Sequence, residues 1–318
     1  MEVMRILGAA VPAITGSYGA EHRLIGRALA DGAVLECLIG SGATADVFAA
    51  RGSGEGEGEC SDRQATKVFK EGYVLKHPGR VRHEMLVHGL IRHPNVVPMI
   101  SGGFDSSLRR FVVSMPLAPL TLCDLVGRGP LHVPEAIRII SGILDALAAV
   151  HGLGLVHADV KISNILIGED FRPLLSDFGL ASFSFSNNGR RPAEGSPESI
   201  APERLLGRPY DHRTDIYSAG VVIYELLAGR PPFVVRKADD AYQHVSCEPP
   251  PLSLFRPGVS RSLEDIIFSC LSKCPGKRPN SAAGLKQEAV GALLEMLAAE
   301  DEIDLFSGAS GRKDDQAA

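Results

Sequence analysis

The sequence predicts an α+β protein in two parts, a β-rich amino-terminal part with one helix and a larger, mainly helical carboxyl-terminal part. Two observations lead to this prediction. Short apolar runs separated by glycine-containing turns fill residues 31–115, as expected for antiparallel strands. From Pro134 onward, apolar residues recur every three or four positions, which is the period of a helix that buries one face.

Composition narrows the class of protein. Of its 318 residues, 45% are hydrophobic and 22% are charged, which is typical of a globular protein. The net charge of −5 gives no reason to expect a nucleic acid or an anionic membrane as a partner. No apolar stretch approaches the roughly 18 residues that span a bilayer, and Pro12 and Gly16 make the uncharged segment 6–20 a poor signal peptide.

The cysteines favour a reducing compartment. Six of them are scattered along the chain, without the paired spacing of a zinc site. Reduced thiols in a cytoplasmic protein are therefore expected.

The β-rich part contains five apolar runs with strand character. They are residues 34–39, 47–50, 66–69, 96–100 and 111–115. Helical spacing is confined to residues 80–92, where His93-Pro94-Asn95 ends the pattern. The segment 51–59 alternates glycine with glutamate over much of its length and is expected to be a loop.

The helical part begins with a long amphipathic segment. Pro134 suits a first helical position, and Gly152 and Gly154 suit its end. Further helices are expected at residues 216–227 and 263–271. Residues 299–318 are acidic and are predicted to form a disordered tail, while residues 1–30 show no period and are interpreted as an amino-terminal extension.

A glycine-containing turn joins the first two expected strands. Glycines at such a place let backbone N–H groups approach phosphate oxygens, although an ordinary β-turn explains the pattern about equally well. The candidate phosphate-binding residues are Gly40, Ser41, Gly42, Ala43, Thr44 and Ala45.

Lys67 lies inside an apolar strand, where an unpaired charge would be costly to bury. Glu84, on the helix that follows, is the acid placed to pair with it. A phosphate group would be a second partner for Lys67. Taken singly, each of these residues also fits an ordinary surface position.

Four polar residues after the long helix match the needs of phosphoryl transfer, which are an aligned acceptor, neutralised charge and a held metal ion. Asp159 can accept the hydroxyl proton, and Lys161 can balance charge on the moving group. Asn164 and Asp177 offer oxygen ligands for a hard cation such as Mg²⁺, or Mn²⁺ in its place. Each motif is weak alone, but chance does not explain the whole ordered set.

This ordered set resembles the eukaryotic-type (Hanks-type) serine/threonine protein kinase family, in a bacterial form. The resemblance implies a two-lobed fold over residues 31–298, with a small lobe at about 31–115 and a large lobe at about 119–298. It implies a cleft that binds ATP and Mg²⁺, and protein substrates with serine or threonine acceptors, the chain itself among them. The expected contacts of the adenine ring are Val47, Ala65 and Leu166, with Ser114 behind the ring.

Later motifs extend the resemblance. Ala201-Pro202-Glu203 is similar to the end of an activation segment, and Asp215 begins a helix similar to the one that supports the catalytic loop. Arg278 is similar to the late arginine of the family, which implies a buried ion pair with Glu203.

Two positions depart from the family pattern. Ala45 replaces a third glycine, and Ala158 replaces the arginine that precedes the catalytic aspartate. That arginine normally binds a phosphate on the activation segment, so we expect activity that does not depend on phosphorylation of residues 177–203.

Three other classes are weighed against this interpretation. An ATP-binding pseudokinase that acts as an interaction scaffold would lack part of the catalytic set, which is complete here. A small-molecule kinase of related fold would lack Glu203 and Arg278 in their motifs. A purely structural module would not need the ordered motifs at all.

Overall fold

The computed structural model describes residues 23–52, 63–183 and 194–310. They divide into two compact units. The first unit reaches Thr121 and also includes Leu166–Ala181, and the second consists of Leu122–Ile165 and the residues from Ser182 onward. The first unit contains the larger sheet and the second contains the long helices, so the α+β class is confirmed.

The strands, numbered along the chain, are β1 (Val34–Ser41), β2 (Ala45–Arg51), β3 (Arg63–Phe69), β4 (Ser101–Asp105), β5 (Arg110–Pro116), β6 (Leu120–Thr121), β7 (Leu155–Val156), β8 (Ile165–Ile167), β9 (Pro173–Leu175) and β10 (Ser182–Phe183). The α-helices are α1 (Glu71–Lys76), α2 (Pro78–Leu90), α3 (Leu122–Val126), α4 (Val133–Gly152), α5 (Pro202–Leu205), α6 (Arg213–Ala228), α7 (Gln243–Ser246), α8 (Arg261–Cys270) and α9 (Ala282–Ser310). Short 3-10 turns occur at Ile162–Asn164, Ala238–Tyr242, Leu252–Leu254 and Pro275–Lys277.

The first unit is built on an antiparallel sheet in the order β1-β2-β3-β5-β4. One apolar cluster includes Leu35, Phe48 and Val68 from its strands. Leu29 belongs to the same cluster, so the last part of the expected amino-terminal extension packs against the sheet. Burial of these side chains, at about 25 cal/mol per Å² of apolar surface, is the main force that holds the strands together.

Helix α2 supplies the acid that the sequence analysis assigned to this unit. Pro78 occupies its first turn, where a missing N–H is harmless. The helix buries Val81 and Val87, and Val81 packs in a second cluster with Phe69 and Val113. Glu84 lies between these positions on the buried face.

The second unit is organised around α4 and α6. Helix α4 packs on α9, and α6 packs on α8 and α4. A Cβ at Gly220 would lie 2.5 Å from the Cβ of Cys270, so only glycine allows α6 and α8 to approach this closely. Helix α6 ends at Gly229 in a left-handed conformation with φ of 68°, a common helix end.

Two expectations are wrong in part. Residues 96–100 do not form a strand, because Val96 makes only an isolated bridge to Leu175, and the strand that pairs with β5 is the following segment, β4. The predicted disordered tail begins at residue 299, but α9 continues to Ser310. The remainder of the predicted tail lies outside the described residues, as do residues 1–22 and most of the glycine–glutamate loop.

Candidate functional site

In the first unit, Lys67 on β3 contacts Glu84, its expected partner, and also Asp177, which was expected as a metal ligand. Its Nζ lies 2.5 Å from Oε1 of Glu84 and 2.9 Å from Oδ1 of Asp177. The sequence therefore identified three residues that the fold brings together, from a strand, a helix and the loop after β9. Lys67 and Glu84 are buried, whereas 44% of the Asp177 side chain is exposed.

Electrostatics keep Lys67 charged. Burial alone would lower the pKa of its ammonium group, but the carboxylates of Asp177 and Glu84 outweigh this effect and raise the pKa. Burial raises the pKa of Glu84, and the Lys67 ammonium opposes that rise. The result is a fixed positive charge with an acid on either side.

Gly179 lies close against this cluster, where a side chain would be crowded. A Cβ there would lie 3.1 Å from Oε2 of Glu84 and 3.3 Å from Oδ1 of Asp177. Asp177 itself has a positive φ of 62°, which is uncommon for a residue other than glycine. Such strained positions concentrate at functional sites.

The glycine-containing turn joins β1 to β2 as expected. The N–H of Gly42 donates to the carbonyl oxygen of Ala45 over 2.9 Å, which closes the turn. Next to it, Oδ1 of Asp46 accepts from the hydroxyl of Ser41 at 2.6 Å and lies 3.1 Å from Nζ of Lys70. Asp46 and Lys70 hold the base of the turn, and no motif in the sequence marked either of them. Gly40, Ala43 and Thr44 lie within this same segment.

The four residues expected near an adenine ring all belong to the first unit. Val47 on β2 lies opposite Lys67 on β3, and Ala65 lies two residues before Lys67 on the same strand, hence on the same face. Leu166 on β8 pairs with Thr121. Ser114 is fully buried, and its hydroxyl lies 3.2 Å from that of Thr66. Their role toward a nucleotide stays a prediction.

In the second unit, Asp159 is held by two neighbours. Its Oδ1 accepts from the backbone N–H of Ser196 at 3.0 Å, and its Oδ2 accepts from Nδ2 of Asn164 at 2.9 Å. Lys161 Nζ donates to the hydroxyl of Ser196 and lies 3.6 Å from Oδ2 of Asp159. Three of the four polar residues predicted after the long helix are therefore brought together, and Ser196 joins them.

Asp215 on α6 supports this loop from within the second unit. Its Oδ2 accepts from the N–H of His157 at 2.8 Å and contacts Nε2 of His151 at 2.8 Å, while its Oδ1 accepts from the N–H of Ala158 at 2.8 Å. Burial would raise the pKa of Asp215, but the hydrogen bond and charge of His151 outweigh it and lower the pKa. Asp215 therefore holds the backbone of residues 157 and 158, directly before Asp159.

The expected buried ion pair is also present. Both Nη atoms of Arg278 donate to the carboxylate of Glu203, over 2.7 and 2.8 Å, in the bidentate geometry that favours arginine over lysine. Both residues are buried. The arginine also lies over the ring of Tyr217, 4.8 Å from its centroid.

Sequence reasoning missed one residue of this region. Arg204 on α5 is buried, and its Nη1 donates to the carbonyl oxygen of Ala158, directly before Asp159. The signal was weak, because an arginine that follows Ala201-Pro202-Glu203 has no spacing that points to residue 158.

Residues 23–52, 63–183 and 194–310 contain no group of three or more histidine, cysteine, aspartate or glutamate side chains that could hold an ion. Asp177 in the first unit and Asn164 in the second each carry side-chain oxygens of the kind that bind Mg²⁺, an ion usually held by one or two protein oxygens together with substrate phosphates. The Nδ2 of Asn164 faces Asp159, so the amide oxygen is the atom it would offer a cation. None of the described helices is both long and apolar enough to cross a bilayer.

Comparisons with known proteins agree with these geometries. Residues 34–290 match the family described as "Protein kinase domain". The chain is 35% identical to serine/threonine-protein kinase PkaA of Streptomyces coelicolor over 276 residues, which cover 81% of this chain and 50% of that protein. It is 31% identical to pkn3 of Myxococcus xanthus (83% and 50%) and 30% identical to PrkC of Bacillus subtilis (83% and 41%). The chain thus spans about half the length of these relatives, or less.

Proposed function

Because the chain belongs to the protein kinase family, we propose that it transfers the γ-phosphoryl group of ATP to serine or threonine hydroxyls of protein substrates, possible acceptors on the chain itself included. The observation that carries this proposal is the arrangement around Asp159, where Asn164 and Ser196 fix the carboxylate and Lys161 lies beside it. The three bacterial relatives described above are named serine/threonine-protein kinases, which supports the acceptor type.

The roles follow from chemistry. The acceptor oxygen forms a new bond to the γ-phosphorus as the bond from that phosphorus to ADP breaks, and Asp159 takes the hydroxyl proton. Lys161 offsets the charge on the group in transfer. Lys67, held by Glu84, binds phosphate oxygens of ATP, and backbone N–H groups of residues 40–45 cover them.

Asp177 and Asn164 would hold Mg²⁺, or Mn²⁺ in its place, which supplies positive charge to the phosphates when bound. We place the adenine ring against Val47, Ala65 and Leu166, with Ser114 behind it. A cytoplasmic location, which provides ATP and keeps thiols reduced, fits the free cysteines of the described residues. The net charge of −5 argues against a nucleic-acid partner.

The test is transfer of labelled phosphate from Mg·ATP by the full chain, alone and with a generic basic protein, followed by phosphoamino-acid analysis. Asp159→Asn should lower kcat by roughly 10²–10⁴-fold, as for loss of a general base. Asp145→Asn is the matched control, because Asp145 makes a half-exposed pair with Lys286. Label on tyrosine alone, or near-full activity of Asp159→Asn, would overturn the proposal. ATP binding without transfer would favour the pseudokinase scaffold.

A further inference from the structure

The backbone of Ala158 is strained at the point where it leads into Asp159. Its φ is 67°, a left-handed conformation that is unfavourable for a residue with a Cβ. Such a conformation persists only when its surroundings hold it. The N–H of Ala158 is held by Asp215, and its carbonyl oxygen by Arg204.

Arg204 itself is unusual, because it is a buried cation without an acid. Only 7% of the residue is exposed, and within the described parts of the chain it forms no ion pair with a carboxylate. The centroid of the Tyr210 ring lies 5.1 Å from the Cζ atom of Arg204. This cation–π contact offsets only part of the hydration free energy that the guanidinium group loses on burial. A charge buried at this cost is retained for its contacts rather than for stability.

The guanidinium group also contacts the segment that holds Asp159 from the other side. A Cβ at Gly195 would lie 3.1 Å from Nη1 of Arg204 and 3.7 Å from the carbonyl oxygen of Ala158. Gly195 has a φ of 134°, a region essentially open to glycine alone. The next residue, Ser196, is the one that bonds Asp159 and Lys161.

We propose that Arg204 is a positioning residue for phosphoryl transfer, whose guanidinium group fixes the carbonyl of Ala158 against Gly195 and so sets the orientation of Asp159. Arg204 thereby joins the two backbone segments that carry the catalytic set of the second unit. This link needs no phosphate group on the activation segment. The inference rests on the proposed function, because orientation of Asp159 matters only if Asp159 accepts a proton.

The test compares Arg204→Met and Arg204→Lys with the matched control Arg256→Met in the phosphate-transfer assay, with thermal unfolding of each full-length variant. Arg256 also donates to a backbone carbonyl, that of Leu131, at 2.7 Å, and this contact is remote in sequence from residues 157–164 and 194–198. Arg204→Met should lower kcat at least 10-fold and change the KM for ATP by less than 2-fold. Arg204→Lys keeps a charged donor and should lose less kcat, by about 3-fold. Arg256→Met should keep its kcat, whatever its stability.

Each outcome decides the question. A folded Arg204→Met with kcat within 2-fold of the unmodified chain overturns the inference, as does an equal loss in Arg204→Met and Arg256→Met. If Arg204→Met does not fold, Arg204→Lys decides, since unchanged kcat in that variant contradicts the need for the planar guanidinium group. If the unmodified chain transfers no phosphate, the proposed function itself fails, and the two failures are thereby distinguished.

Discussion

The ammonium group of Lys67 lies within hydrogen-bond distance of two carboxylates, each held by a different element. The protein thus keeps a cation in a buried place by surrounding it with acids, and the acids in turn depend on it. Removal of the lysine and removal of an acid should affect stability and activity differently. Variants of each can therefore separate the contribution to stability from the contribution to activity.

We predict that Lys67→Met abolishes measurable transfer and destabilises the chain by about 3–5 kcal/mol, because Glu84 is left as a buried, unpaired charge. The double variant Lys67→Met/Glu84→Gln should recover much of the free energy of unfolding but none of the activity. Urea unfolding and the phosphate-transfer assay measure these effects. Lys286→Met, at a half-exposed pair, should change stability by less than about 1 kcal/mol. A double variant no more stable than Lys67→Met would contradict this account.

Residue pairs were predictable where a buried charge demanded a partner. Lys67 needs an acid because it lies in an apolar strand, and a family motif placed Arg278 opposite Glu203. Arg204 escaped prediction because its partner is a backbone carbonyl, which every residue possesses and which therefore leaves no mark on the sequence. The left-handed conformation of Ala158 was equally hidden, since alanine gives no signal for a positive φ.

At the scale of elements, prediction succeeded where a segment's own residues carried the signal for its secondary structure. Helix α4 has its own period and its own end signals, and β3 contains Thr66, Val68 and Phe69, which are residue types that favour strands. Strand β4 has neither, because its sequence is Ser-Gly-Gly-Phe-Asp, and only pairing with β5 makes it a strand. In the more apolar segment just before it, Val96 makes only an isolated bridge to Leu175.

The crossing of α6 and α8 gives a prediction at this scale. Gly220→Ala should lower the free energy of unfolding by about 1–3 kcal/mol, because the new methyl group overlaps Cys270 and forces the helices apart. Gly291→Ala on α9 is the control, since a Cβ there meets no atom within 4 Å, and it should raise stability by about 0.5–1 kcal/mol. Urea unfolding of both variants decides, and similar effects in the two would show that the crossing is not tightly packed.

At the scale of the whole molecule, one acid should shape the pH dependence of stability. Glu225 lines a cavity of about 190 Å³ together with Glu198 and Lys161. Burial, and then the charge of Glu198, raise the pKa of Glu225 to about 7. Between its ordinary pKa and this value the folded state binds a proton that the unfolded state releases, so stability falls as pH rises from about 4.5 to 7.

Glu225→Gln should remove this loss. The free energy of unfolding of the variant, minus that of the unmodified chain, should be larger at pH 8 than at pH 5 by up to about 3 kcal/mol, since one pKa unit corresponds to about 1.4 kcal/mol. Urea unfolding at the two pH values measures the difference, in which the contributions of all other titrating groups cancel. An equal difference at both pH values would contradict the raised pKa.

Ligand binding should also register in the stability of the whole chain. Mg·ATP at 100 times its Kd should add about 2.7 kcal/mol to the free energy of unfolding and raise Tm by about 5 °C. The increment that depends on Mg²⁺, measured against ATP with a chelator, should disappear in Asp177→Asn and persist in Asp145→Asn. Survival of the full increment in Asp177→Asn would remove Asp177 from the proposed metal site.

The discontinuity of the first unit has a consequence for synthesis on the ribosome. Its sheet is complete once β5 has emerged, but Asp177 and β9 belong to the same unit and follow only after the whole of α4 has been made. Until then the ammonium of Lys67 has one of its two acids. Glu203 waits longer still, because Arg278 emerges 75 residues after it. A nascent chain arrested before Arg278 should therefore hold an unpaired acid where the finished protein has an ion pair, and should be more readily cleaved by proteases than the released chain.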